Sequence, residues 1–366
     1  VDFKGHSDYR HDRSICTGIL VTSLGTPEAP TASAVRRFLA EFLSDPRVVE
    51  MSRPLWWFIL HSIVLPIRPF RVARLYQSIW REDGSPLLSF ARQVGRSLQK
   101  ELDNRGGSLK VSLGMRYGSP SIEQALEELR QAGAERLLVF PLYPQYSGST
   151  TGSTFDAIAS VLSTWRWVPE LRMITHYHGD PGYLQALAES IQRSWEEVGR
   201  GDRLLFSFHG LPKRYLLAGD PYHCYCHKTA RLLAERLGLE EGDWQVAFQS
   251  RFGREEWLKP YADHLLREWA EAGVKRVDVI CPGFAVDCLE TLEEMAERNR
   301  ELFLRAGGKE YHYIPALNNE PSHIRALADL VERHTQGWVE ASLDKETMVR
   351  ISEMSRQRAI AIGAKD

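Results

Sequence analysis

No stretch of this 366-residue chain stays apolar for the roughly 20 residues that a membrane-spanning helix needs. The longest apolar run, Trp56 to Ile67, is broken by His61 and Pro66, which excludes a span there. Cysteine is scarce and odd in number: Cys16, Cys224, Cys226, Cys281 and Cys288. With no apolar signal region at the start, a disulfide framework is not expected, and a reducing cytoplasm is. Charge of one sign is also missing. The net charge of −2 leaves no basic field for nucleic acid and no acidic tail. No G-x-x-x-x-G-K-[ST] phosphate loop and no G-x-G-x-x-G fingerprint follow any candidate strand.

What is present reads as a globular protein, 43% hydrophobic and 26% charged, long enough for two domains. Three pairs of segments resemble each other in the same order. LVTSLGTP (Leu20 to Pro27) parallels LFSFHGLP (Leu205 to Pro212). VSLGMRYG (Val111 to Gly118) parallels VAFQSRFG (Val246 to Gly253). AGAERLLVFP (Ala132 to Pro141) parallels AGVKRVDVICP (Ala272 to Pro282). Three matches in order argue for two copies of one domain type. Each is a short apolar run opening into Gly, Pro or Ser, as a buried strand does. Helical patterns lie between, such as SIEQALEELRQAG (Ser121 to Gly133) and YADHLLREWAEAG (Tyr261 to Gly273). Strand–helix alternation predicts an α/β fold: two similar doubly wound, Rossmann-like parallel-sheet domains with a cleft between them.

The copies differ in length. Gly25 to Gly133 is longer by 45 positions than Gly210 to Gly273, and the apolar, Arg-flanked stretch Met51 to Arg74 lies in that excess. The expected division is 14–170 for the first domain, with the insertion near 51–74 and a completing helix at 318–338. The second domain is expected at 171–317, with tails at 1–13 and 339–366. Ligands of such folds bind beyond the carboxyl ends of the strands. Leu24, Gly25, Thr26, Arg116, Tyr143, His209 and Phe284 should converge there.

His209 ends an apolar run. Its counterpart in the first copy is Leu24, so the fold does not require a polar side chain at that position. An imidazole there offers a base or a metal ligand. The segment 286–303, VDCLETLEEMAERNRELF, reads as an α-helix in which Asp287, Glu290, Glu294 and Glu297 share one face. A solvated acidic face is the ordinary meaning of such a row. Its start at a strand's carboxyl end suits instead a hard divalent cation that keeps some water. HCYCH (His223 to His227) lacks the usual C-x₂₋₄-C spacing and is expected to be a loop with incidental soft side chains. YSGSTTGST (Tyr146 to Thr154) could cradle a carboxylate or a phosphate. Tyr76, Tyr117, Tyr143, Tyr146 and Trp257 beside loop mouths point to a flat apolar ligand.

YPQYSGSTTGST, SFHGLP, GDPYHC, FQSRFGREEWL, PGFAVDCLETLEE and ALNNEPSHIRALADLVE together resemble the ferrochelatases, in family order from about Ile19 to Trp338. RPLWWFILHSIVLP resembles the rim segment of the enterobacterial type. The resemblance implies insertion of Fe²⁺ into protoporphyrin IX to form protohaem. It implies His209 as acceptor of pyrrole protons, Glu290 opposite it, and both facing the substrate iron. Asp287 and Glu294 are implied as a metal or proton path. Leu24, Gly25, Thr26, Pro27, Tyr76, Arg116, Tyr117, Tyr143 and Trp257 are implied to bind porphyrin. The rivals are a chelatase for another metal or tetrapyrrole such as coproporphyrin, and a tetrapyrrole carrier without catalysis.

Two positions depart from relatives of this kind. Gly148 stands where one cluster-bearing form has a Cys, and 341–366 contains no Cys, so no [2Fe–2S] cluster is expected and no cofactor is required. Cys288 stands where the family has His, which puts a metal role for that position in doubt. Trp56, Trp57 and Phe58, flanked by Arg53, Arg68, Arg71 and Arg74, are expected to form a membrane rim. The expectation is a cytoplasmic enzyme, peripherally and transiently on the inner membrane, that takes porphyrin and ferrous iron and binds no nucleic acid. It leaves room for contact with the preceding enzyme of the haem pathway.

Overall fold

The computed structural model describes residues 2–5, 12, 16–106, 108–253, 255–338 and 345–364. Of the tails expected at 1–13 and 339–366, the first is described at 2–5 and 12 and the second at 345–364. Within the second of them, Lys345–Ala361 is a helix.

Two four-stranded parallel sheets form the frame. The first contains β1 (Cys16–Gly25), β2 (Leu109–Tyr117), β3 (Ala134–Pro141) and β4 (Glu170–Met173) in the order β2-β1-β3-β4. The second contains β5 (Arg203–His209), β6 (Trp244–Gln249), β7 (Arg276–Ile280) and β8 (Glu310–Ile314) in the order β6-β5-β7-β8. The three matched segment pairs are thus β1/β5, β2/β6 and β3/β7. The middle pair is two residues out of register: Leu113 lies beside Val21 in one sheet, and Val246 beside Phe206 in the other. A two-residue slip keeps every side chain on its own face.

Alternate residues of each strand bury on opposite faces, as a doubly wound sheet requires. Ile19 and Val21 join a core that continues through Leu204, Phe206 and Phe208 of the second sheet, while Leu20 and Leu205 belong to separate outer cores. Helices fill the shared core. Pro181–Val198, which follows β4, packs on Tyr222–Leu237 of the second half, and Pro321–His334, which follows β8, packs on Pro86–Arg105 of the first. β4 pairs with Arg136–Val139 and crosses the expected 170/171 boundary, so the first sheet runs to Met173.

The excess of the first half is helical. Arg53–Ile59 leads into a π-helical turn, Leu60–Val64, and then into Leu65–Ile79. Two further π-helical segments, Gly148–Gly152 and Glu290–Asn299, follow β3 and β7 at their carboxyl ends. The π-helix is rare and frequently marks functional sites.

Candidate active site

His209 is the last residue of β5 and is half-buried. Its Nδ1 lies 2.6 Å from the carbonyl oxygen of Gly210. A carbonyl only accepts, so Nδ1 carries a proton, and in the neutral ring Nε2 holds the free lone pair. The chain leaves this position by the same device in both halves. A Cβ on Gly25 would sit 1.8 Å from the Tyr117 oxygen, and one on Gly210 would sit 2.7 Å from the Gln249 oxygen. Only glycine permits these approaches, and Gly25 also needs it for its φ of +108°.

The acidic row expected on 286–303 is not a row. The helix winds as a π-helix over Glu290–Asn299, which aligns residues five apart: Arg298 binds Glu293 at 2.9 Å, and Asn299 donates to the Glu294 carbonyl. Glu290 and Glu294 are half-buried, Glu297 is exposed and Asp287 is buried. The Asp287 carboxylate accepts from Thr291 Oγ1 at 2.8 Å, Tyr313 Oη at 2.7 Å, Asn318 Nδ2 at 2.7 Å and the Ala316 N–H at 3.4 Å. These bonds engage Oδ1 three times and Oδ2 once, and they give Asp287 a structural part beside the metal or proton path expected of it.

Glu294 interacts electrostatically with His209. Ser250 donates to its carboxylate from both N–H and Oγ–H, and does so from an unusual backbone with φ +65°. Burial pushes the Glu294 carboxyl above the ordinary glutamate value, against the pull of those donors, Arg298 and His209. Gln249 ties the same elements together: its Oε1 accepts from Ser207 at 2.6 Å and its Nε2 donates to the Glu290 carbonyl at 2.8 Å. Glu290 in turn interacts with Tyr76 and Cys288.

The expected porphyrin wall divides into facing and backing residues. Leu24 is half-buried in a cluster with Tyr76, Leu289 and Leu292, while Gly25, Thr26 and Pro27 are buried, Thr26 donating to Ser85 Oγ. Tyr76 is buried beside Thr26 and Glu290. Tyr143 interacts with Cys288 and Arg116, and its buried hydroxyl has no hydrogen-bond partner among the described residues. Trp257, also with an unpartnered buried N–H, lies against Gly210. Arg116 and Tyr117 stand behind the wall. Arg116 Nη2 and Tyr117 Oη bind the buried Asp45 at 2.6 and 2.8 Å, and Arg116 Nε donates to Ser153. Tyr117 is 1% exposed and braces Asp45 from within the core.

Other motifs are resolved as well. HCYCH is the start of the helix Tyr222–Leu237 and not a loop, with His223 and His227 packed against Phe248. Among the described residues, no three His, Cys, Asp or Glu side chains gather closely enough to hold a metal ion. The YSGSTTGST loop does cradle a carboxylate, but an internal one: Asp220 accepts from Gly148 N–H at 2.8 Å and Ser147 Oγ at 3.0 Å. On the insertion, Trp56 is half-buried and its indole turns inward to donate to the Leu43 carbonyl at 2.6 Å. Trp57 and Phe58 are 62% and 60% exposed, joined by Leu55, Ile63, Ile67 and Phe70. No helix among the described residues is long and apolar enough to cross a membrane.

Sequence reasoning missed Ser250, Gln249 and Asn318. A fourth repeat would have drawn attention to Asn318. ITHYHGDPGYLQALA (174–188) parallels IPALNNEPSHIRALA (314–328), and the sheets place the two in the same register.

The ferrochelatase family profile matches residues 16–335. A curated relative named Ferrochelatase from Nitrosococcus oceani is 78% identical over the full length of both chains. Another of that name from Thioalkalivibrio sulfidiphilus is 59% identical, again over both full lengths. Among solved structures, Bacillus subtilis SirB with Fe³⁺ superposes with a TM-score of 0.52 at 13% identity, covering 88% of this chain and 97% of that one. The cobalt complex of the sirohydrochlorin chelatase SirB from Bacillus subtilis subspecies spizizenii gives 0.51 at 12% identity, with the same coverage. At that identity the likeness is one of fold.

Proposed function

The chain belongs to the ferrochelatase family and inserts iron into porphyrin for haem synthesis, and from that premise we propose that His209 and Glu290 carry the insertion. Fe²⁺ is a substrate and must shed water while two pyrrole N–H protons leave. His209 supports the base role because Gly210 holds the proton on Nδ1 and leaves the Nε2 lone pair available. That single geometry, at a position where the first half has Leu24, carries the reading. Glu294 takes the proton onward, since burial raises its affinity for a proton and His209 is its neighbour. Glu290 supplies the anionic oxygen on the side of Tyr76 and Cys288 and faces the iron.

Protoporphyrin IX is the proposed substrate. Leu24, Tyr76, Tyr143 and Trp257 are the side chains proposed to line its flat body: Leu24 and Tyr76 share an apolar cluster, and Tyr143 and Trp257 add aromatic surface. Holding the macrocycle bent between those side chains and the π-helix would expose its nitrogen lone pairs, using binding energy to approach the transition state. No resident cofactor takes part in this proposal. A [2Fe–2S] centre needs four donors, and Gly148 offers no thiol where one cluster-bearing form has a Cys. The rim residues Trp57, Phe58, Ile67 and Phe70 dock on a lipid surface to receive the poorly soluble ring.

His209→Ala and Glu290→Gln test the chemistry under anaerobic conditions with Fe²⁺ and protoporphyrin IX. Each is expected to lower kcat by ~10²-fold or more, the usual scale for a general base, while fluorescence titration shows porphyrin binding retained. Wild-type turnover by either variant would refute its assigned role.

A further inference from the structure

We propose that Asn318 is a positioning residue for iron insertion, acting through Asp287 to fix the first turn of the π-helix that bears Glu290. The inference rests on the role given to Glu290 above. Asn318 lies in the loop after β8 and grips Asp287 from two sides. Its Oδ1 accepts from the Asp287 N–H at 2.8 Å, and its Nδ2 donates to Asp287 Oδ2 at 2.7 Å. Its own backbone is pinned in turn. The Asn318 N–H donates to the Ala285 carbonyl at 3.0 Å, and its carbonyl accepts from Nδ1 of His323, a fully buried residue, at 2.8 Å. The residue sits at φ +45°, a backbone region where Asn is among the few non-glycine residues at home.

Asp287 passes this order forward. Thr291 Oγ1 donates to it, and that same oxygen accepts from the Cys288 N–H at 2.9 Å, so the turn 287–291 that includes Glu290 is closed from within. Tyr313, on β8, donates to the same Oδ1 and ties the turn to the sheet. A side chain held in this way is preorganised, which is what a reacting group displaced by a fraction of an ångström loses.

The duplication separates this role from the needs of the fold. By sheet register, Asp287 and Asn318 correspond to Ser147 and His178 in the first half. There the link is not made: among the described residues both ring nitrogens of His178 are buried without a hydrogen-bond partner, and Ser147 turns to Asp220. One half builds its sheet, loop and following helix without the clamp. The half that carries His209 and Glu290 has it.

The test is Asn318→Gly, which keeps the left-handed backbone and removes only the amide. Anaerobic kinetics with Fe²⁺ and protoporphyrin IX should show kcat lower by roughly 10-fold or more, with the KM for each substrate within about two-fold. The far-UV spectrum and thermal midpoint are measured alongside. Asn318→Gly combined with Asp287→Asn should cost no more than the worse single variant, because both break one link. Full kcat in Asn318→Gly would overturn the proposal. So would a loss explained by a smaller folded fraction, or a rise confined to the KM for Fe²⁺, which would put Asp287 on an iron path. If Glu290→Gln itself keeps wild-type turnover, the reading of Glu290 fails first, and a kcat loss in Asn318→Gly then belongs to another group on this turn.

Discussion

Asp45 and Arg116 form an ion pair of 2.6 Å at the carboxyl end of β2, with the Asp45 side chain 4% exposed and that of Arg116 18%. Tyr117 and Ser153 donate to the same carboxylate oxygen, and the Arg47 N–H to the other. The pair therefore joins the end of β2, the start of the helix Ser153–Leu162 that follows the π-helical turn, and the segment that leads into the rim.

Removing Asp45 leaves Arg116 without its partner, and breaking a buried pair from one side costs about 3 kcal/mol or more. Burial works against the charged form of Asp45, but the donors and Arg116 outweigh it and hold its pKa below the ordinary value. Its stabilising contribution is thus complete above the unfolded pKa and fades as pH falls through the folded one. Urea unfolding should show Asp45→Ala far less stable than wild type at pH 7, with the gap narrowing in acid. A gap independent of pH would mean that packing, not the charge network, is what Asp45 supplies.

Glu294 has the opposite sign. Its folded pKa is raised, chiefly by burial, so the native state holds the proton more tightly than the unfolded chain does. The stability this gives is present in acid and is lost as pH rises through the folded pKa, leaving a cost at neutral pH. Glu294→Gln should therefore raise the thermal midpoint at pH 7 and converge on wild type near pH ~4, around the ordinary glutamate value. Turnover should fall at the same time, since glutamine accepts no proton from His209. A variant less stable than wild type at pH 7 would show that the Ser250 donors outweigh the burial.

The sheets and His209 were legible because they leave marks in composition: apolar runs, glycine stops, and a polar residue where its repeat has Leu24. The π-winding of Glu290–Asn299 was not. Its signature is a hydrogen-bond pattern one residue longer than the α-helix, which apolar periodicity over one or two turns does not distinguish. The carboxylates were therefore given one face, and Asp287 was counted with them although Asn318, Tyr313 and Thr291 claim it from elements distant in sequence or on the next turn. The two-residue slip between β2 and β6 was hidden for a related reason, since a strand repeats every second residue. Trp56 and Trp57 are equal in composition, and only packing against Leu43 separates the inward one from the outward one.

That separation makes the rim testable residue by residue. Trp57, Phe58, Ile63, Ile67 and Phe70 are each more than half exposed, on helices that the second half lacks. Burying one such side chain in an apolar phase is worth roughly 1.5–3 kcal/mol, and each nearby basic residue adds about 1 kcal/mol on anionic lipid. Arg71 and Arg74 are exposed on the same helix as Ile67 and Phe70, whereas Arg68 is drawn over the Phe252 ring at 5.1 Å. Co-sedimentation with vesicles containing anionic lipid should therefore lose most of the bound fraction in Trp57→Ser, Phe58→Ser. Raised salt should weaken wild-type binding without abolishing it, because the aromatic contribution is not screened. Trp56→Phe should bind like wild type, since the indole it alters faces Leu43. Turnover of detergent-dispersed porphyrin should be unchanged in all three proteins, which separates delivery from chemistry. Equal sedimentation of wild type and Trp57→Ser, Phe58→Ser would remove the rim from membrane docking. Weaker sedimentation of Trp56→Phe would show that the surface seen on Trp57 and Phe58 is not the one that meets lipid.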